Sequence, residues 1–273
     1  MNHESRILDP VPVHAANPGP MTGAGNWTWL LRGRVPTLID AGTGEPAHLD
    51  SLERALEGAT LDQMLLTHAH TDHASGAPAL RQRMPALRFR KMLWPERDAK
   101  WPVPWDAIAD GEVIEAGDTF LRAIHTPGHA PDHLCFWHEE TRSLFCGDLA
   151  LAGSSVWIPV SLQGDLGQYL ASLERVLALG PARMYPAHGP IIEEPVMLLR
   201  RYLQHRRERE EQVVDALSHG DHDPTTIVAR IYEDLRESLR PLAHESVLAN
   251  LIKLEREGRV SRDGERWMLS PGR

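Results

Sequence analysis

Between Asn17 and Ile192, six short apolar runs each stop at a small, polar or histidine residue. No other feature of this 273-residue sequence limits its fold as much. The runs are those in VPTLIDAG, LDQMLLTHAH, TFLRAIHTPGH, HLCFW, SLFCGD and ARMYPAHG. Short apolar and β-branched stretches bounded by turn formers read as strands. Helical spacing recurs between them, around residues 49–56, 74–83 and 168–178. Strands alternating with helices predict an α/β layered domain, with its chemistry at the strand ends.

Composition narrows the function classes. Apolar residues make up 42% and charged residues 25%, enough for a sizeable core and typical of a folded globular chain. The formal net charge of -9 disfavours a general binder of nucleic acid or anionic membrane, which needs a positive field. Two cysteines exclude a disulfide framework or a cysteine-built zinc module. A four-residue turn in HLCFWHEETRSLFCGD would set Cys135 opposite Cys146, and two small buried thiols in a reducing compartment are expected there rather than a disulfide. The start MNHESRILDP has neither a basic nor an apolar leader segment, and no apolar run nears membrane-spanning length. A cytoplasmic protein with no membrane partner is expected.

The composition changes after Glu193. LLRRYLQHRREREEQVVDALSHG reads as a charged amphipathic helix whose Arg/Glu face is solvated. TIVARIYEDL and ESVLANLIKLEREGRV carry apolar residues at helical spacing, and Asp263-Gly264 between β-like runs signals a tight hairpin. Helix, helix and β-hairpin outline a small winged-helix domain. The expected division is a large α/β domain over 1–195, a linking helix over 196–220 and a winged-helix-like domain over 221–273. The tryptophan-rich stretch over 93–106 is either an ordered surface loop or part of a substrate mouth.

THAHTDHASG holds the densest chemistry. His68 and His70 lie two apart on an extended segment and share a side, so both can face one ion while Asp72 and His73 turn toward another. A helix is expected to begin near Asp72 or His73. Imidazole and carboxylate donors suit zinc by default, with manganese or iron as alternatives. His129 after Pro127-Gly128, Asp148 after Gly147, and His188 in YPAHGP stand at further strand ends, where the backbone can bring each close to an ion.

These residues, in this order, resemble the metallo-β-lactamase-fold superfamily, whose signature is His-x-His-x-Asp-His followed by a lone His, a lone Asp and a last His. The resemblance covers roughly the first 195 residues and implies an αββα sandwich. It assigns His68, His70 and His129 to one divalent ion, Asp72, His73 and His188 to a second, and Asp148 to a bridge between them. Asp72 and Asp148 would then hold a bridging hydroxide, leaving a residual positive charge that stabilises an anionic transition state. Asp40 in LIDAG resembles the aspartate that orients a ligand imidazole in this superfamily. His133 stands close behind His129, for a similar role or for a purely structural hydrogen bond.

NPGPMTGAGNWTWLL, GDLALAGSSVWIP, YPAHGPII and VLANLIKLEREGRV also resemble the LACTB2-like branch, typified by a ribonuclease of single-stranded RNA and carrying an appended winged helix. Trp27 and Trp29 depart from its usual residues. Asp148 sets the chain apart from true β-lactamases, which generally lack aspartate there. The C-terminal segment has no excess of basic residues, and Glu245, Glu255 and Glu257 lie on or beside the helix that would enter a groove. It is therefore expected to be a packing or homodimerisation module. Three readings follow: a dinuclear hydrolase of small acyl substrates such as thioesters or esters, an endoribonuclease of single-stranded RNA, and a non-catalytic metal-binding regulator that uses the winged helix on DNA.

Overall fold

The computed structural model describes residues 8–271. Most of the residues behind the reading of the N-terminus lie outside that range. Two sheets face each other. The first has the order β1 (Val11–His14), β2 (Trp27–Leu31), β3 (Thr37–Ile39), β4 (Gln63–Leu65), β5 (Arg88–Lys91) and β6 (Trp105–Ala107). The second runs β11 (Arg183–Pro186), β10 (Ser143–Gly147), β9 (Leu134–His138), β8 (Thr119–His125) and β7 (Val113–Ala116).

Strand alternation builds the layers. Leu38, Met64 and Phe89 point outward into a core shared with α1 (Pro46–Leu56) and α3 (Ala77–Arg83). Their neighbours Ile39 and Leu65 point inward and meet Leu121, Phe136 and Phe145 of the second sheet. The far face of that sheet is covered by α5 (Leu166–Leu179) and the first half of α6 (Pro195–Ser218), through Tyr169, Leu173, Leu199 and Leu203. The result is an αββα sandwich.

The hairpin β9–β10 pairs Phe136 with Phe145, which brings Cys135 beside Cys146; both are buried free thiols. Burial pushes Cys135 up to about 12 and Cys146 well above the usual thiol range.

The second half of α6, α7 (Pro224–Ile231), α8 (Arg240–Arg256) and the ribbon β12 (Val260–Asp263) and β13 (Arg266–Leu269) enclose a separate small core of Val213, Leu217, Ile227, Val247, Leu251 and Trp267. Its turn is Gly264–Glu265, because Asp263 pairs with Arg266, and Gly264 supplies a positive φ of 60°. This winged helix lies against the sandwich. Ala249 of α8 is buried in the sandwich core, Glu245 accepts the Ser161 N–H at 3.2 Å, and Arg256 pairs with Asp165.

The charged run of α6 is only partly a solvated face. Arg206 is buried, donates to the Val156 carbonyl and stacks over Tyr169, while Glu210 accepts from Lys253 and Arg259. Burial alone would raise Glu210, but those two hydrogen bonds outweigh it and hold its carboxyl below the usual range. No helix among the described residues is long and apolar enough to cross a membrane.

Candidate metal centre

Four strands end at one point. β4 delivers Thr67 to His70, followed by the single turn α2 (Thr71–Ala74), which carries Asp72 and His73. The helix thus begins at Thr71, one residue before the expected start. The chain after β8 brings His129, that after β10 brings Asp148, and that after β11 brings His188. Gly128 and Gly147 make the two tight approaches. At Gly128, φ is +130° and a Cβ would lie 2.3 Å from the Tyr169 nitrogen; at Gly147, φ is +47° and a Cβ would meet Thr67 at 2.9 Å.

All seven side chains singled out in the sequence come together, in three overlapping groups: His68, His70 and His129; His68, His73 and Asp148; and Asp72, His73 and His188. Asp148 lies between the halves, with Oδ2 at 3.4 Å from His129 Nε2 and Oδ1 at 3.3 Å from His188 Nε2 and 3.5 Å from His73 Nε2.

The hydrogen bonds fix which nitrogens face inward. His129 Nδ1–H donates to the Trp157 carbonyl at 2.7 Å, leaving Nε2 bare. His73 Nδ1–H donates to Asp40 at 2.8 Å, leaving Nε2 without a hydrogen-bond partner among the described residues. The Thr67 hydroxyl donates to Asp40, so it accepts from His68 Nδ1–H and leaves His68 Nε2 bare. His70 Nδ1 then stands 3.1 Å from His68 Nε2 and 2.9 Å from His129 Nε2.

A proton on His70 Nδ1 could satisfy only one of these two nitrogens, whereas a cation between the three rings satisfies all of them. Ligand nitrogens around one tetrahedral zinc stand roughly 3.3 Å apart, so the trio fits an ion of that size. Asp148 Oδ1 and His73 Nε2, both buried without hydrogen-bond partners among the described residues, give the other side the same fit.

Protonation divides the cluster. Burial, then the neighbouring imidazoles, push His68 and His70 well below the usual histidine range, and burial lowers His129. Burial acts the same way on His73 and His188, but the carboxylates overcome it. Asp72, Asp148 and Asp40 hold His73 well above the usual range, and Asp148 with Asp72 raises His188 to about 9. Asp148 and Asp72 are correspondingly low: burial would raise both, but the charged His188 and His73 outweigh it.

Asp40, at a positive φ of 65°, orients His73 and also accepts the Thr67 N–H at 2.8 Å. His133 makes no hydrogen bond to His129. Its Nδ1–H donates to Thr126 at 2.8 Å and its Nε2 accepts the Asp148 N–H at 3.1 Å, so it positions the aspartate backbone.

Other supports were not found by sequence reasoning. Asn26 donates to the Asp72 carbonyl at 2.9 Å and is itself tied to Asn17. The indoles of Trp27 and Trp29 donate to Gly189 and Pro186, on either side of His188. Trp94, Trp101 and Trp105 pack into or against the core beneath the first sheet, and from that stretch Arg97 lines the cavity.

The cavity over these seven side chains is about 1260 Å³ and is mainly apolar. Trp157, Val156 and Leu151 form one wall and the Pro18–Gly25 loop another, while Leu239 and Leu242 of the winged helix reach its rim.

A model of the metallo-beta-lactamase superfamily matches residues 21–188, and one of the beta-lactamase associated winged helix domain matches residues 224–267. Lactamase-like protein aptB of Emericella nidulans is 38% identical over 206 residues, 74% of this chain but 63% of that protein, so the chain spans less than two thirds of this fungal relative. The beta-lactamase-like protein 2 homolog of Drosophila melanogaster is 31% identical over 281 residues, 96% of this chain and 94% of that one. The crystal structure of a metallo-beta-lactamase family protein from Thermus thermophilus superposes with a TM-score of 0.78 at 24% identity, over 96% of this chain and 98% of that one, which shows a shared fold. The chain therefore belongs to the metallo-beta-lactamase superfamily, in the two-domain form that adds a beta-lactamase-associated winged helix.

Proposed function

We propose that the protein is a dinuclear metal-dependent hydrolase of small acyl substrates, thioesters or esters. The observation that carries this reading is the cluster of seven ligand-type side chains at the floor of an apolar cavity closed partly by the winged helix. Such a cavity suits a compact substrate with an apolar body. His68, His70 and His129 would hold one ion, Asp72, His73 and His188 the other, and Asp148 would reach both. Divalent metal bound there supplies Lewis acidity and a water acidic enough to attack at neutral pH, with zinc the first choice and manganese or iron the alternatives.

The protein's own contribution is preorganisation. Asp40 and the Trp157 carbonyl hold the Nδ1 atoms of His73 and His129 and so turn both Nε2 atoms inward. Val156, Trp157 and Leu151 keep water from the acyl body. The two thiols, free and deeply buried, suit a reducing cytoplasm.

An endoribonuclease of single-stranded RNA is the second reading, supported by the nearly full-length match to the fly protein. Charge argues against it, since one arginine and no lysine line the cavity among the described residues, and a strand needs a basic track. A DNA-bound regulator is weaker still, because α8 is packed against the sandwich.

The deciding experiment gives zinc- or manganese-reconstituted protein a panel of thioesters and esters beside a labelled single-stranded RNA, with a chelated sample and Asp148→Asn as controls. Acyl turnover lost in both controls is expected. RNA cleavage lost in both, with no acyl turnover, replaces this reading with the nuclease.

A further inference from the structure

Arg97, in α4 (Pro95–Asp98), is the sole arginine or lysine among the described residues that line the cavity. It has no carboxylate partner among the described residues, although acids stand on both sides of it in sequence. Glu96 accepts from Gln163 at 3.0 Å, and Asp98 is buried against Lys91. Arg97 Nε–H donates to the Ala69 carbonyl at 3.1 Å, which leaves its Nη groups without a protein acceptor among the described residues.

This placement is built rather than incidental. Ala69 lies between His68 and His70, and its peptide is held at both ends. Its N–H donates to Asp132 at 2.9 Å, and the Trp101 indole also approaches its carbonyl, at 3.4 Å. Asp132 pairs at 2.8 Å with the fully buried Lys91, which also pairs with Asp98, and Asp98 in turn accepts the Trp94 N–H at 2.8 Å. One buried Lys91–Asp98–Asp132 cluster therefore fastens the segment that carries Arg97 to the backbone between two candidate ligands. A guanidinium anchored through Nε and free at both Nη groups is a fork for a planar anion, and apolar walls strengthen its attraction.

We infer that Arg97 recognises a carboxylate on the acyl part of the substrate, placed on the His68/His70/His129 side of the metal centre. This rests on the acyl-hydrolase reading above and specifies its substrate class. A single fixed cation in a partly closed, mainly apolar cavity fits one carboxylate better than a nucleic-acid backbone.

The test compares the N-acetylcysteamine thioester of glutaric acid with that of its monomethyl ester, on native protein, Arg97→Gln and Arg97→Lys, all metal-reconstituted. Native protein should prefer the free acid by about 10- to 100-fold in kcat/KM, the range expected of a charge-assisted hydrogen-bonded pair and expressed mainly in KM. Arg97→Gln should abolish that preference by losing far more on the free acid than on the methyl ester, and Arg97→Lys should retain part of it. Equal rates on both thioesters in native protein would overturn the inference. So would equal losses on both in Arg97→Gln, which would mean that Arg97 only props the Ala69 peptide.

A second readout avoids turnover: calorimetric binding of the matching non-hydrolysable thioethers to metal-free protein. An Arg97-dependent preference for the acid there, with neither thioester hydrolysed, would keep the inference and sink acyl hydrolysis. RNA cleavage whose salt dependence falls in Arg97→Gln would assign the arginine to phosphate and overturn it.

Discussion

The two halves of the candidate metal centre share Asp148 yet differ in what occupies their lone pairs. On the trio side, burial keeps His68, His70 and His129 neutral, so their nitrogens are ready for a cation at neutral pH. On the other side Asp72 and Asp148 are ionised, and His73 and His188 carry protons that balance them. One half is a preformed site; the other is an ion-pair cluster in which protons take the place of a second metal. Affinity, pH response and tolerance to mutation should differ accordingly.

The largest effect should come from removing the shared residue. Asp148→Asn takes a charged donor from both halves, and turnover should fall by roughly three orders of magnitude or more, about 4 kcal/mol of barrier. His70→Ala should match it by dismantling the preformed half. Neither removes core packing, so far-UV circular dichroism and cooperative unfolding should persist. Native-like turnover in either variant would refute the reading of the cluster as a catalytic metal centre.

His188→Ala separates the halves. It leaves the trio intact and removes a residue bonded only to the carboxylates, at 3.1 Å from Asp72 and 3.3 Å from Asp148. Metal content measured by mass spectrometry should drop from about two ions per chain toward about one. Loss of both ions together would show that the halves load as a unit.

Asp40→Asn should act more mildly, through His73 more than through its other partner Thr67, from which an amide oxygen can still accept. The amide keeps the shape but removes the charge that favours the Nδ1–H tautomer. Affinity for the second ion should weaken by about 10- to 100-fold, read by competition with a chromogenic chelator, with the trio unchanged. Equal weakening of both ions would place Asp40 in the scaffold of the whole loop, through its bonds to Thr67.

The same division governs what could be read from the sequence. Alternation along an extended chain places His68 and His70 on one side, and the strand-end pattern marks His129, Asp148 and His188, so the candidate ligands and the layered fold were legible. Supports that depend on long-range contact were not. The Lys91–Asp98–Asp132 cluster joins three segments with no shared motif, and its charges look solvated in a linear reading. The tryptophan-rich stretch could not be resolved between loop and mouth, because its indoles pack inward while a single arginine turns to the cavity. The seating of α8 on the sandwich rests on Ala249 and Glu245, and residues of those types carry no local signal for an interdomain contact.

The most direct test of the comparison is in pH. His188 is held at about 9 against an ordinary 6.5, and His73 is also raised, so a second ion must displace their protons. Affinity for that ion should climb by about tenfold per pH unit for each of these histidines that is still protonated, with the His188 contribution levelling off above about 9. Affinity for the first ion should stay flat across that range, because the trio is already neutral. Folding should respond in the opposite direction. A histidine raised in the folded state stabilises the metal-free protein fully below pH 6.5 and progressively less as pH rises through about 9. The metal-free protein should therefore melt a few degrees lower at the alkaline end, while the two-metal protein, with no such proton to lose, should not. Parallel pH slopes for the two ions would erase the distinction and make the centre a single titrating unit.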